Sequence, residues 1–234
     1  MKIGLFTDTH YCDAESLGTR RPSLSYGKVK IAMDQFKAQG VDIVFCLGDL
    51  VDCPDGLTRE DTLRSLRKIL DLIESYEIPF YMVPGNHDYI ALTGADFEAH
   101  GLKTPPYVVE NDDFRFIVLD ANYRSSMERF DIAGVEWTDS NLPREQIEYL
   151  KSALETGKAC IVLVHENLDP TICESHRVNN AEEVREVIKN SANVKMVLQG
   201  HYHKGKEGIF DQIPYLAVPA MCEGEGAPFK IIEL

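Results

Sequence analysis

The chain has 234 residues and a formal net charge of −14, from 38 acidic and 24 basic side chains spread along its length. That balance argues against duplex nucleic acid, which binds proteins through neutralisation of many phosphates. It also means that an anionic substrate needs local positive charge from elsewhere, such as bound metal.

The length suits one α/β domain over residues 1–234. The opening MKIGLFTDTH has a single basic residue and a short apolar run, neither a secretory h-region nor a membrane span, so a cytoplasmic protein without a membrane partner is expected. Six cysteines, Cys12, Cys46, Cys53, Cys160, Cys173 and Cys222, show no CxxC spacing. They read as reduced thiols, with Cys46 and Cys160 serving as small core residues inside apolar runs.

In chain order, short apolar runs at 2–6, 41–47, 78–83, 114–119, 159–164 and 194–199 have strand length and are mostly too unbroken for half-exposed strands. Helical patterns lie between them. Over 26–38, Val29, Met33 and Phe36 face inward. Over 58–75, Leu63, Leu66, Leu70 and Ile73 share a face behind a Thr58 to Asp61 capping-box pattern. Pro143 opens another helix, with Ile147, Leu150 and Leu154 as its stripe and Gly157 as its stop. A further pattern over 181–189 carries Val184, Val187 and Ile188. The tail, with GIF, PYLAV and FKIIEL between Gly, Pro and acidic residues, reads as antiparallel strands closing a second sheet. The whole predicts a layered α/β fold of two packed sheets with helices outside.

The residues just past the strand ends carry the chemistry. Asp8 and His10 come after the first strand, Asp49 and Asp52 after the second, and Asn86, His87 and Asp88 after the third; His165, and then His201 and His203, come after two later ones. The carboxyl ends of parallel strands in an open sheet share one edge, so these side chains are candidates to converge. Taken singly, Asp8, Asp49 and Asn86 also suit caps or turns, and His165 a satisfied interior histidine. Together they repeat ligand chemistry at five strand ends. Mixed carboxylate, imidazole and amide donors suit Mn, Fe or Zn better than Ca or structural Zn.

The ordered pattern D-x-H, GDxxD, GNHD, a strand-end His and GHxH, spanning residues 8–203, resembles the calcineurin-like metallophosphoesterase family. The resemblance implies an αββα sandwich of two mixed sheets flanked by helices, with two divalent metal ions. One would be held by Asp8, His10, Asp49 and His203, the other by Asp49, Asn86, His165 and His201, with Asp49 bridging. It also implies that His87 is a general acid oriented by Asp52, although His87 also suits a hydrogen bonder that steadies Asn86. Asp88 is given only a capping or tuning role. Two metals sharing a water supply a hydroxide nucleophile and neutralise phosphoryl charge, which resolves the puzzle of an acidic protein acting on an anion.

Substrate choice is less legible. GDLVD runs into Cys53-Pro54, and the GNHD motif ends in Asp, both unlike protein Ser/Thr phosphatases; Glu166-Asn167 after His165 departs from the x-Pro common in the family. Tyr11-Cys12-Asp13, the loop with Arg20 and Arg21, and the stretches 114–123 and 137–154 are similar to the manganese-dependent ADP-ribose/CDP-alcohol diphosphatase branch. Arg20, Arg21 and His176 are candidate contacts to a second phosphate, nucleotide or ribose, and suit solvated loop residues equally well. Trp137 and Tyr123 suit base stacking or local packing. The expected activity is hydrolysis of a small phosphodiester, pyrophosphate or nucleotide-type ester. The alternatives are a cyclic-nucleotide phosphodiesterase or phosphomonoesterase of the same family and a non-catalytic metal-binding module on the same fold.

Overall fold

A parallel strand pair needs a crossover between its members, and the amphipathic segments separating the first apolar runs supply it. The computed structural model describes residues 1–131 and 134–234. In it β1 (Lys2–Phe6), α1 (Ser25–Ala38), β2 (Ile43–Cys46), α2 (Arg59–Glu74) and β3 (Phe80–Met82) form consecutive β-α-β units with all three strands parallel. A six-residue helix, α3 (Gly94–Ala99), leads to the hairpin of β4 (Tyr107–Glu110) and β5 (Phe114–Val118). Then α4 (Arg144–Leu154), β6 (Ala159–Leu163), α5 (Ala181–Lys189) and β7 (Val194–Gln199) extend a second parallel run. The chain ends with β8 (Lys206–Phe210), β9 (Ile213–Ala217) and β10 (Lys230–Glu233).

The strand orders are β10-β1-β2-β3 in one sheet and β4-β5-β6-β7-β9-β8 in the other. The tail departs from expectation in two ways. β8 and β9 do form an antiparallel hairpin on the second sheet, but β9 runs parallel to β7, and β10 crosses back to pair antiparallel with β1 in the first sheet. Alternation alone does not say which open edge a strand takes, and β1 offered one. The runs read at 41–47 and 78–83 yield strands of only four and three residues.

Because side chains alternate across a strand, each sheet has an inner and an outer face. Ile3, Leu5, Ile43 and Phe45 of the first sheet meet Phe116, Val118, Ile161 and Leu163 of the second in a buried layer between the sheets. The outer faces are covered by α1 and α2 on one side, through Met33, Phe36, Leu66 and Ile73, and by α4 and α5 on the other, through Ile147, Leu150, Val184 and Ile188. Leu63 and Val187, read as inward, sit half-buried at the edges of their stripes. The Thr58 hydroxyl accepts from the Asp61 backbone N–H while the Asp61 carboxylate accepts from the Thr58 N–H, which completes the predicted capping box. No helix among the described residues is long and apolar enough to cross a membrane.

Phe45 is fully buried, with its ring 4.9 Å from Phe116 across the inter-sheet layer and 5.8 Å from Tyr81. Phe45→Ala is expected to cost about 3–5 kcal/mol in denaturant unfolding. Ile209→Ala, at a side chain 72% exposed on β8, is expected to change stability by no more than about 0.5 kcal/mol.

Candidate metal centre

The parallel strands β1, β2 and β3 of one sheet and β6 and β7 of the other end at the same edge, and the loops leaving them carry every candidate ligand. Those loops turn sharply. Asp8, His10, Asp49 and His201 all have left-handed backbone, with φ of 51°, 45°, 52° and 62°. Such conformations in non-glycine residues cost on the order of 1–3 kcal/mol each and persist only where the surroundings enforce them. Here the enforcement is visible. The Asp8 N–H donates to Gly48 O at 2.9 Å and the His10 N–H to Asp49 O at 2.9 Å.

Asp88 does the most, and far more than the capping or tuning role expected of it. Its carboxylate, fully buried, accepts from the backbone N–H groups of Asp49 at 2.9 Å, Gly85 at 2.8 Å and Val51 at 3.1 Å. It thereby fastens the GNHD turn to the GDxxD loop. Two glycines permit the resulting closeness. A Cβ on Gly85 would lie 2.2 Å from Asp49 Oδ1, and one on Gly200 2.2 Å from Thr7 Oγ1, so neither position accepts a side chain without moving the loop.

Six of the seven candidate ligands come together by distance, and Asn86 lines the cavity over them with Asp49, His201 and His203. The Asp49 carboxylate lies at the centre, with Oδ2 3.3 Å from His165 Nε2 and 3.5 Å from His10 Nε2. Asp8 Oδ1 is 3.5 Å from His203 Nε2, 3.9 Å from His10 Nε2 and 4.0 Å from His165 Nε2. Among the described residues three groups have ligating atoms all within 4.8 Å of one another: His10, Asp49 and His87; Asp49, His165 and His201; and His10, His203 and Cys222. Asp49 is common to two of them, the position a bridging carboxylate requires.

Five of the seven residues present a buried atom without any hydrogen-bond partner: Asp8 Oδ1, His10 Nε2, Asn86 Oδ1, His165 Nε2 and His201 Nε2. Buried polar atoms are nearly always paired, and each left unpaired costs about 1–3 kcal/mol. Their concentration around Asp49 is what a cation would satisfy. In three of the imidazoles the other ring nitrogen is already occupied. His165 Nδ1 faces Leu47 O at 2.7 Å, His10 Nδ1 faces Asp52 Oδ2 at 3.1 Å and His203 Nδ1 faces Glu223 Oε1 at 2.8 Å. For His165 and His203 the Nδ1–H donates outward and turns Nε2 toward the centre, the usual support for a metal-bound histidine, while His10 Nδ1 lies between Asp52 Oδ2 and the Arg20 Nη1 donor at 3.0 Å. The donor set therefore fits a pair of divalent ions.

The local field agrees. Burial by itself would push the Asp49 carboxyl up, but the charges of His165, His87 and His10 hold it well below the usual carboxylate range. For His201 burial dominates, with the charge of His165 adding to it, and drives the imidazole down to about 3, so it is a neutral donor. Burial also disfavours the charged form of His87, yet Asp49 and then Asp52 outweigh it and raise the imidazole above its ordinary value.

Asp52 is a hub. Oδ1 accepts from His87 Nδ1–H at 2.9 Å and from the Cys53 N–H at 2.8 Å, while Oδ2 lies 3.1 Å from His10 Nδ1 and accepts from Arg20 Nη1 at 2.9 Å. Arg20 thus spends part of its guanidinium on Asp52 while also lining the cavity over the centre. The Arg21 guanidinium instead donates to Gly18 O and Arg20 O in its own loop and does not line that cavity. His176 does line it.

Sequence reasoning missed Glu223 and Cys222, which lie beyond the last motif and reach His203 only through the tertiary fold. Their loop is pinned by the Lys28 ammonium, which donates to the carbonyls of Met221, Glu223 and Gly224. Glu166 is a second surprise. It is fully buried with both carboxyl oxygens unpartnered, and burial raises it to about 8, which makes it a neutral acid beside His165.

Residues 1–205 match the sequence profile of the calcineurin-like phosphoesterases. The chain belongs to that family. Within it, the 3′,5′-cyclic adenosine monophosphate phosphodiesterase CpdA of Haemophilus influenzae is 23% identical over 230 residues, which cover 95% of this chain and 77% of that protein. The manganese-dependent ADP-ribose/CDP-alcohol diphosphatase of Arabidopsis thaliana is also 23% identical, over 87% of this chain and 80% of its own. A dimetal phosphatase from Danio rerio shares the fold, with a TM-score of 0.83 and 16% identity over 100% of this chain and 92% of that one. This calcineurin-like phosphoesterase is accordingly a metal-dependent hydrolase of phosphate esters, and the αββα arrangement expected of it is the one observed.

Glu223→Ala removes the acceptor that fixes the His203 ring. It is expected to weaken metal binding by about 10- to 100-fold, measured by competition with a chelator.

Proposed function

We propose that the chain hydrolyses a small phosphodiester, pyrophosphate or nucleotide-type phosphate ester at two divalent ions, with His87 as general acid. Asp8, His10, Asp49 and His203 would hold one ion; Asp49, Asn86, His165 and His201 would hold the other. The observation that carries this reading is the ring of unpartnered buried donors facing Asp49. Mn, Fe or Zn suits such mixed donors, and a pair of these ions supplies Lewis-acid stabilisation of phosphoryl oxygens and activation of water.

The protein's own groups account for the rest. Asp49, aimed by its left-handed backbone, would offer its carboxylate to both ions. Asp52 holds the His87 ring by Nδ1, which leaves Nε2 as the position from which a proton passes to the departing oxygen. The raised proton affinity of His87 keeps that proton available near neutral pH. The same carboxylate steadies His10, so one side chain couples a candidate ligand to the candidate acid.

The completeness of the site favours an enzyme over a binding module that has lost its chemistry, since every ligand, the acid and its partner are present. A nucleotide-type substrate is supported by the activities for which two relatives are named, a cyclic-nucleotide phosphodiesterase and an ADP-ribose/CDP-alcohol diphosphatase.

His87→Ala is expected to slow esters with alkyl leaving groups by about 10²- to 10⁴-fold. Bis-p-nitrophenyl phosphate, whose leaving group needs little protonation, should lose far less. Steady-state rates on the two substrate types, at equal metal content, check this; equal losses on both would count against the acid role.

A further inference from the structure

The cavity over the metal centre, about 440 Å³, has an aromatic wall that hydrolysis at two ions does not require. Its principal member is Trp137, remote in sequence from every candidate ligand and from the candidate acid. The residue is 41% exposed, one of the few large apolar residues left so among the described ones. The His176 ring meets it at 5.1 Å and 67°, and His176 in turn meets Tyr202 at 5.5 Å and 90°. Both are edge-on contacts, and they leave the indole incompletely covered. The wall adjoins the chemistry, because Trp137 lies 6.0 Å from the ring of His201. Exposed Lys204 and half-buried Arg20 line the same cavity.

Tyr123, the other aromatic candidate for stacking, is committed elsewhere. Its hydroxyl accepts from Arg129 Nε at 3.1 Å, the guanidinium lies 5.2 Å from its ring, and it does not line the cavity.

We propose that Trp137, flanked by His176 and Tyr202, is the surface on which a nucleobase of the substrate stacks, so that the phosphate ester hydrolysed here is nucleoside-linked. The proposal rests on the two-ion reading above and adds a binding site to it. A partly bare indole beside a phosphate-binding centre suits a planar nucleobase, because every base has a π-face to stack. The cavity volume lies within the range of small-molecule sites, which suits a nucleotide rather than a polymer.

Trp137 is the chain's only tryptophan, so its fluorescence reports this site alone. Metal-loaded protein is titrated with adenosine 5′-monophosphate, ribose 5-phosphate and inorganic phosphate, by fluorescence and by calorimetry. All three are expected to bind, with the adenosine monophosphate quenching the tryptophan and binding about tenfold or more tighter than ribose 5-phosphate. In W137L that advantage should disappear while ribose 5-phosphate affinity is retained, and in W137F most of it should return. Equal affinity for the two organic phosphates in the native protein would overturn the stacking surface alone, as would unchanged adenosine monophosphate binding in W137L. If none of the three binds to the loaded protein, the two-ion reading fails and this proposal with it.

Discussion

The structure is organised around one electrostatic constraint: two carboxylates, Asp8 and Asp49, are buried together with imidazole and amide donors whose lone pairs have no partner in the protein. A buried anion without compensation is costly, and so is an orphaned acceptor. Protonating some of the histidines relieves part of this, which is why His165 is held well above its ordinary value by Asp49 despite the opposing effect of burial. Divalent cations relieve all of it. Metal binding then displaces protons from the ring, so loading is coupled to pH.

Holding such a ring costs backbone strain, and the hydrogen bonds that meet that cost come from outside the ligand set. Asp88 clamps the loops after β2 and β3, and the Leu47 carbonyl fixes His165 across the gap between the sheets. Asp52 ties His10, His87 and Arg20 together. The sandwich makes this possible because the inter-sheet layer of Phe45, Phe116, Leu5 and Leu163 brings the ends of parallel strands from two sheets to one edge. Neither sheet alone carries a complete set: Asp8, Asp49 and Asn86 lie past strands of one, His165, His201 and His203 past those of the other.

The convergence of the candidate ligands was legible in the sequence because ligand chemistry recurs at a fixed place, immediately after apolar runs, so that five coincident positions outweigh the local turn or cap reading of any one. The helices were legible from their stripes and, for α2, from its capping box. The groups that support the ligands were not. Asp88 looked like a turn residue because its partners, Asp49 and Val51, lie 39 and 37 positions away. Glu223 meets His203 from a loop 20 residues on. Arg20 and Arg21 are adjacent and alike in sequence, yet one turns to Asp52 and the other to its own loop. The path of β10 was also hidden, since a four-residue strand such as KIIE has no sequence mark for which sheet edge it completes.

Asp49 would bridge the two ions. Anomalous diffraction from crystals of the manganese-loaded protein tests it most directly. Bridging predicts two peaks about 3.5–4 Å apart, one on each side of the Asp49 carboxylate, the first in contact with Asp8, His10 and His203 and the second with Asn86, His165 and His201. A single peak at full loading, or two peaks of which one does not touch Asp49, would contradict it.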